Sequence, residues 1–419
     1  MKKYVTISLG CKVNAYEISA LSSRLEENGY IYDEDNPDVA IINTCSVTSV
    51  ADQKSRQHIR RLMNKYPDAI IAVMGCYAQG QHKFISETLN ANIVSGTSNR
   101  DLLLKEILKA DKSTHIDLTD EKTRLFKYEE LGITNLSENV RAYLKIQDGC
   151  DNFCSYCLIP LRRGKARNRN HCDILKEANY LVKKGYKEIV LTGIHVGGYG
   201  KDEQTDSFSN LVNDILKIKD LYRLRISSIE ESEIDARLIE TIKTNDKLAN
   251  HFHIPLQAGS DTILKRMNRK YTKAEFLNKI KAIKKACPNV ALTTDVIVGF
   301  PGESNEEFLE TVEFIKECEF DMLHVFPYSA RENTVAARLP NQIDPKIKKE
   351  RVKVLYELSN ELWDKYTNKF VDKEVEVLIE QYDEINHVNI GHTSNYIEVK
   401  IPSDHSEVGK VVKTIYKKY

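Results

Sequence analysis

Short apolar runs alternating with helical patterns dominate this 419-residue chain and restrict it to an α/β architecture. Near the start, residues 4–9, 39–42 and 70–74 are rich in Val and Ile, as strands buried on both faces are. Between them Ile18, Leu21 and Leu25 recur at helical spacing, and residues 49–66 are long enough for a second helix. The pattern is βαβαβα, which predicts an open parallel α/β sheet. Six further runs follow at 141–147, 188–192, 222–228, 251–256, 290–298 and 322–326, with helical patterns such as 174–184 and 273–286 between them. Repeated βα units predict a partial (β/α)6 barrel of the TIM type, open on one side. Residues 346–366 then read as a charged amphipathic helix carrying Val352, Leu355, Leu358 and Leu362. Beyond it, residues 374–379, 395–399 and 409–415 alternate in strand fashion, as in a small all-β barrel. The expected divisions are 1–112 for the open sheet, 113–137 for a linker, 138–345 for the partial barrel, 346–367 for the connecting helix and 368–419 for the β domain.

Composition narrows the class. Lys and Arg number 61 and so do Asp and Glu, so any nucleic-acid surface must be local. No apolar stretch approaches a membrane span, and the first residues lack the apolar core of a signal peptide, so a cytoplasmic protein with no membrane partner is expected. In that compartment 9 cysteines point to metal or redox chemistry, not a disulfide framework.

Six of the cysteines sort into two groups of three. Cys150, Cys154 and Cys157 lie within eight residues, at x3 then x2 spacing, with Tyr156 before the last. They supply three thiolates and no fourth ligand. That suits a [4Fe–4S] cluster with one iron left open, whereas structural zinc sites close with four ligands. Cys11, Cys45 and Cys76 are far apart, but each follows one of the first three strand-like runs. The carboxyl ends of strands in an open α/β sheet share one crevice, so these three converge there. A buried free cysteine can also be a plain small hydrophobe. The small residues in Gly10-Cys11, Thr44-Cys45 and Gly75-Cys76 favour close backbone approach to a bulky ligand and a second three-thiolate cluster.

The six later strands also end in unusual residues. Asp148-Gly149-Cys150 follows the first and Thr192-Gly193 the second. Ser227 and Glu230 follow the third, Gln257 the fourth, Gly299 the fifth, and Phe326 closes the sixth. One Gly at a strand end is usually only a turn. Six polar or Gly-rich ends on one rim fit a small polar ligand.

With these motifs assembled, the chain resembles the methylthiotransferases of the radical S-adenosylmethionine (radical SAM) superfamily over essentially its full length. The resemblance rests on Leu9-Gly10-Cys11-Lys12-Val13-Asn14 with Tyr16 and Glu17, Asn43-Thr44-Cys45, Met74-Gly75-Cys76, the Cys150 loop, and Ile159-Pro160 with Arg163-Gly164, Arg167 and Arg169. It implies a radical SAM cluster on Cys150, Cys154 and Cys157, and an auxiliary [4Fe–4S] cluster on Cys11, Cys45 and Cys76. It also implies SAM bound near Tyr156, Thr192, Gly193, Ser227, Glu230, Gln257, Gly299 and Phe326. One SAM would methylate a cluster-borne sulfur, and a second would yield a 5′-deoxyadenosyl radical that takes hydrogen from C2 of an adenine. The first motif is similar to the branch acting on N6-threonylcarbamoyladenosine beside the tRNA anticodon. The position of the last domain matches the TRAM domain of this family. Implied partners are the tRNA anticodon stem-loop, a flavodoxin- or ferredoxin-type electron donor, and a sulfur source. The sequence departs from the family pattern at Ala258, where Ser is usual, and at Asn333, where Gly tends to precede Thr.

Two basic runs remain. Lys54, Arg56, Arg60 and Arg61 read as a solvated helix face. Arg163, Arg167 and Arg169, beside the cluster loop, are the expected phosphate contacts. Cys172, Cys287 and Cys318 fit no cluster spacing and read as buried structural thiols, and His195, His251 and His253 as packed rim residues. Alternatives are a methylthiotransferase acting on N6-isopentenyladenosine or a ribosomal-protein side chain, and a non-catalytic zinc-containing RNA-binding module.

Overall fold

The computed structural model describes residues 1–120, 127–132, 140–201 and 207–418. The amino-terminal unit contains β1 (Lys3–Ser8), α1 (Lys12–Glu27), β2 (Ile31–Tyr32), β3 (Val39–Thr44), α2 (Ser49–Lys65), β4 (Ile70–Gly75), α3 (Cys76–Lys83), β5 (Ile93–Val94), α4 (Arg100–Lys109) and β6 (Ile116–Asp117). The strands form one parallel sheet in the order β2-β1-β3-β4-β5-β6. Every residue of β3 and β4 is buried, which explains their unbroken apolar sequence. One apolar cluster covers each face, with Leu21, Ile41 and Met74 on one side and Ile42, Ile59 and Val73 on the other. The sixth strand lies inside the stretch expected to be linker, so the sheet runs past residue 112; parts of 113–137 fall outside the described residues.

The second unit contains β7 (Arg141–Lys145), β8 (Gln147–Asp148), α5 (Ile159–Arg163), β9 (Arg167–Asn168), α6 (His171–Lys183), β10 (Glu188–Thr192), α7 (Phe208–Leu216), β11 (Arg223–Ile226), α8 (Ala236–Thr244), β12 (His251–His253), α9 (Asp261–Arg266), α10 (Lys273–Ala286), β13 (Ala291–Val298), α11 (Asn305–Cys318) and β14 (Met322–Pro327). Parallel pairing joins β7, β10 and β11, and likewise β12, β13 and β14. Parallel bridges Leu224–Leu248 and Ser228–His253 link the two halves. All six expected strands thus form a half-barrel in chain order. Leu323 and Val325 of β14 pack outward against helices, while His324 and Phe326 face the open lumen and are exposed. Ser304 and Thr272 cap α11 and α10 with complete capping boxes.

Helix α12 (Pro345–Asn368) crosses to a four-stranded antiparallel sheet of β15 (Glu374–Asp383), β16 (Val388–Thr393), β17 (Glu398–Pro402) and β18 (Val411–Ile415), in the order β17-β16-β15-β18. The sequence pattern indicated only three of these strands. It missed β16, where Asn389, Gly391 and His392 dilute the alternation. This curled sheet sits on the amino end of the half-barrel. Arg141 pairs with Glu380 at 2.6 Å, and the Arg225 guanidinium lies 4.7 Å from the Tyr396 ring. Tyr396 also stacks on His251 at 5.1 Å. Among the described residues no helix is long and apolar enough to cross a membrane.

Candidate active site

The amino-terminal strand order reverses between β1 and β3, which opens a crevice at their carboxyl ends. Cys11 follows β1 after two residues, Cys45 follows β3 and Cys76 follows β4 directly, so the chain delivers all three to that crevice. Gly10 and Gly75 have φ of 96° and 101°, in the left-handed region. A Cβ on Gly10 would lie 2.7 Å from the Cys45 sulfur, and one on Gly75 would lie 2.2 Å from Asn43 Oδ1. The Asn14 amide donates to Leu9 O at 2.7 Å and Thr44 O at 3.1 Å, tying two cysteine loops together. The Thr44 hydroxyl donates to Met74 O at 2.6 Å and so secures the third.

The other three cysteines follow β8 in one loop. Cys157 N donates to Cys154 O at 3.0 Å, and Asn268 Nδ2 donates to Phe153 O at 2.9 Å, holding Phe153 at a φ of 48°. Arg269 Nη1 donates to the Cys154 sulfur at 3.4 Å and also pairs with Glu230. Sequence reading missed Arg269, because it follows a short helix and not a strand.

A buried charge network joins Cys76 of the first group to Asp148, two residues before Cys150 of the second. Arg163 is fully buried, and its Nε donates to the Cys76 sulfur at 3.3 Å. Its Nη1 donates to Glu17 at 2.9 Å and Asp148 at 3.1 Å, and its Nη2 to Asn14 Oδ1 at 3.0 Å. Lys145 reaches the same two carboxylates at 2.8 Å each. Burial alone would raise both carboxyl pKa values. For Glu17 the charges of Arg100, Arg163 and Lys145 outweigh burial, and for Asp148 those of Lys145, Arg163 and Arg167 do; both stay ionised well below the usual carboxylate range.

This network corrects one expectation. Arg163, Arg167 and Arg169 have exposures of 0%, 6% and 3%, and they carry no phosphate-binding surface. Arg167 donates to Arg163 O at 2.7 Å, and Arg169 pairs with Glu130 and Glu177. Most of their carboxylate partners lie elsewhere in the chain, so the run, taken alone, reads as cations open to phosphate. Exposed cations on α2 include Lys54, Arg60 and Arg61. Cys172 is exposed, against the expectation of burial, while Cys318 is buried in the barrel core.

The residues expected near SAM all stand at the carboxyl rim of the half-barrel or just past it. Thr192 is 1% exposed and its hydroxyl has no partner. Gly193 leaves the space a Cβ would fill 3.2 Å from Gln147 O. Tyr156, Ser227, Glu230 and Gln257 are half-buried, Phe326 is exposed, and Gly299 approaches Lys348 of α12 instead. Asn333 has a φ of 70°, which explains why Asn can stand where Gly is usual. Ala258 is buried.

These donor sets fit the groups they are expected to hold. Cys11, Cys45 and Cys76 lie within electrostatic range of one another, as do Cys150, Cys154 and Cys157. Among the described residues no three His, Cys, Asp or Glu side chains are close enough to share one metal ion. In a cubane cluster each cysteine holds its own iron, and each triad supplies three such thiolates. Burial pushes the Cys76 thiol up to about 11 and the Cys157 thiol up to about 12, so cluster binding must displace protons there. The orphaned Thr192 hydroxyl at the rim suits a polar ligand such as SAM.

A half-barrel with a three-thiolate loop at its carboxyl rim defines a radical SAM protein. The family described as the Radical SAM superfamily matches residues 144–315, and the one described as Uncharacterized protein family UPF0004 matches 3–96. The radical SAM methyltransferase TsrM from Kitasatospora setae shares the fold, with a TM-score of 0.59, 14% identity, and coverage of 80% of this chain and 77% of that one. Threonylcarbamoyladenosine tRNA methylthiotransferase MtaB of Bacillus subtilis is 44% identical, covering 97% of this chain and 92% of the relative. The tRNA-2-methylthio-N(6)-dimethylallyladenosine synthase of Alkaliphilus oremlandii is 37% identical, covering 98% and 89%. The chain belongs to the radical SAM methylthiotransferase family.

Proposed function

We propose that this protein is a tRNA-modifying transferase of sulfur-containing groups, which inserts a methylthio group at C2 of N6-threonylcarbamoyladenosine beside the anticodon. What supports this reading is the pair of three-cysteine sets, one after the strands of the amino-terminal sheet and one in the loop after β8, with Arg163 tying Cys76 to Asp148, two residues before Cys150. When bound, the two [4Fe–4S] clusters and SAM supply the sulfur, the methyl group and the radical that such a C–H bond demands. The chain's own residues position and shield. Arg163 and Arg269 each place a guanidinium on one thiolate, which favours the deprotonated ligand. Glu17 and Asp148 hold Arg163 in place, and the burial of this network keeps water from the side of the crevice it occupies. Cys11 is exposed, which leaves access for the base. The cytoplasm, a flavodoxin- or ferredoxin-type donor and a separate sulfur source complete the proposal.

Nucleoside mass spectrometry of tRNA, with and without this gene, tests it. Loss of 2-methylthio-N6-threonylcarbamoyladenosine with accumulation of its precursor is the expected result. Loss of the dimethylallyl analogue instead would move the protein to the branch of the Alkaliphilus relative. If no methylthio nucleoside changed, tRNA would be the wrong substrate.

A further inference from the structure

The half-barrel lumen holds a polar floor that the thiolate sites do not use. Glu188 of β10 accepts from Arg225 at 2.8 Å and Arg223 at 3.1 Å, and lies 3.9 Å from Arg141. One carboxylate therefore serves three guanidiniums, and among the described residues Arg141 alone of these has a second carboxylate, Glu380. His251 is 8% exposed and shares Thr293 with His253, but its Nδ1 has no partner. His324 stands beside His253, their rings 5.3 Å apart.

Toward this lumen the amino-terminal domain sends Lys12. Lys12 follows Cys11 and opens α1, and it is solvent-accessible in the chain as a whole. Its ammonium nonetheless lies within electrostatic range of Arg225, Arg141 and Glu188, and of His251 and His324 opposite. A side chain both accessible and flanked by these groups faces the open lumen. Among the described residues Lys12 has neither a hydrogen bond nor an ion pair. An ammonium held near two guanidiniums, with their one shared carboxylate already engaged, favours an anionic ligand.

We infer that Lys12 is a specificity-determining residue whose ammonium receives the carboxylate of the substrate's amino-acid substituent inside the lumen, above the Arg225–Glu188 floor. This rests on the reading that the substrate is N6-threonylcarbamoyladenosine, whose threonyl part carries that carboxylate. In adenine, C2 and the N6 substituent lie at separate corners of the ring. A base presenting C2 to the rim thiolates can therefore direct N6 away from them, into the lumen. A dimethylallyl substituent is apolar and offers the ammonium nothing.

The test is binding of anticodon stem-loops to the cluster-loaded protein by fluorescence anisotropy. The three oligonucleotides carry N6-threonylcarbamoyladenosine, its threonine methyl ester, or N6-dimethylallyladenosine. Wild type is expected to prefer the free acid to the ester by about 10- to 100-fold, the loss expected for one charge-assisted hydrogen bond. Lys12→Gln should lose the same factor for the acid and leave the other two within about 2-fold, and Lys12→Arg should recover most of it. Iron and sulfide content, measured on each variant, reports whether the neighbouring Cys11 still holds its cluster. The ester comparison needs no variant, so it decides the matter even if Lys12→Gln loads poorly. Equal binding of acid and ester by wild type overturns the inference, and so does a uniform loss across all three ligands in a fully loaded Lys12→Gln. Wild type that prefers the dimethylallyl oligonucleotide overturns the substrate reading itself.

Discussion

Arg163 Nε stands 3.3 Å from the sulfur of Cys76, although the two residues belong to different domains. The guanidinium is fully buried, and its remaining donors go to Glu17 and Asn14 of α1 in the amino-terminal unit and to Asp148 of the half-barrel. One side chain thus ties the first thiolate set to the segment that leads into the second.

Replacing Arg163 with Ala leaves Glu17 and Asp148 with one buried cation fewer. The cost should be about 3–5 kcal/mol, because a buried charge loses its partner. Thermal unfolding should show a lower transition, and the auxiliary site should bind less iron. Arg163→Lys should recover part of the stability. An unchanged transition in Arg163→Ala would remove the network from any structural role.

Changing Cys45 to Ala should lower iron from about eight to about four atoms per loaded chain, because one of two clusters is lost. Cys318→Ala, in the barrel core, should keep both clusters and lose only packing. Iron and sulfide analysis of anaerobically reconstituted protein separates the two. A full iron complement in Cys45→Ala would sink the auxiliary-cluster assignment.

Glu188 gives a pH signature. Burial opposes its charge, but Arg225, Arg223 and Arg141 overcome that and hold its pKa at about 2 against an ordinary 4.5. Because the folded pKa is depressed, its contribution is present above about pH 4.5 and fades as pH falls toward 2. The amount is about 3 kcal/mol. Urea midpoints of wild type and Glu188→Gln should differ most near neutrality and converge only below about pH 2. A gap that stays constant with pH would show that Glu188 carries no such charge.

Lys54, Arg60 and Arg61 are exposed on α2, which begins four residues after Cys45. Reversing Arg60 and Arg61 to Glu should weaken tRNA binding by about 10-fold and flatten its salt dependence, with cluster content unchanged. Binding titrations at several salt concentrations read both. Unaltered affinity would place the RNA path elsewhere.

Much of the site was legible because it is local. The spacing of Cys150, Cys154 and Cys157 needs only one loop. The strand-end positions of Cys11, Cys45 and Cys76 need only the rule that parallel strands share a carboxyl edge. The six barrel strands announced themselves through apolar runs, whereas β16 did not, since Asn389, Gly391 and His392 break its alternation. Arg163, Arg167 and Arg169 misled for the opposite reason: charge in a sequence says nothing of the carboxylates that will enclose it.

By itself the sequence determined the layered α/β architecture and the strand ends at which each three-cysteine set lies, because periodicity and spacing act over a few residues. Only the tertiary structure decided that three arginines are buried, that Lys12 enters the lumen, and that the last sheet seats on the opposite mouth through Arg141, Arg225 and Tyr396. Each of these depends on partners tens to hundreds of residues away, where Coulomb attraction and desolvation are settled by proximity in space and not along the chain.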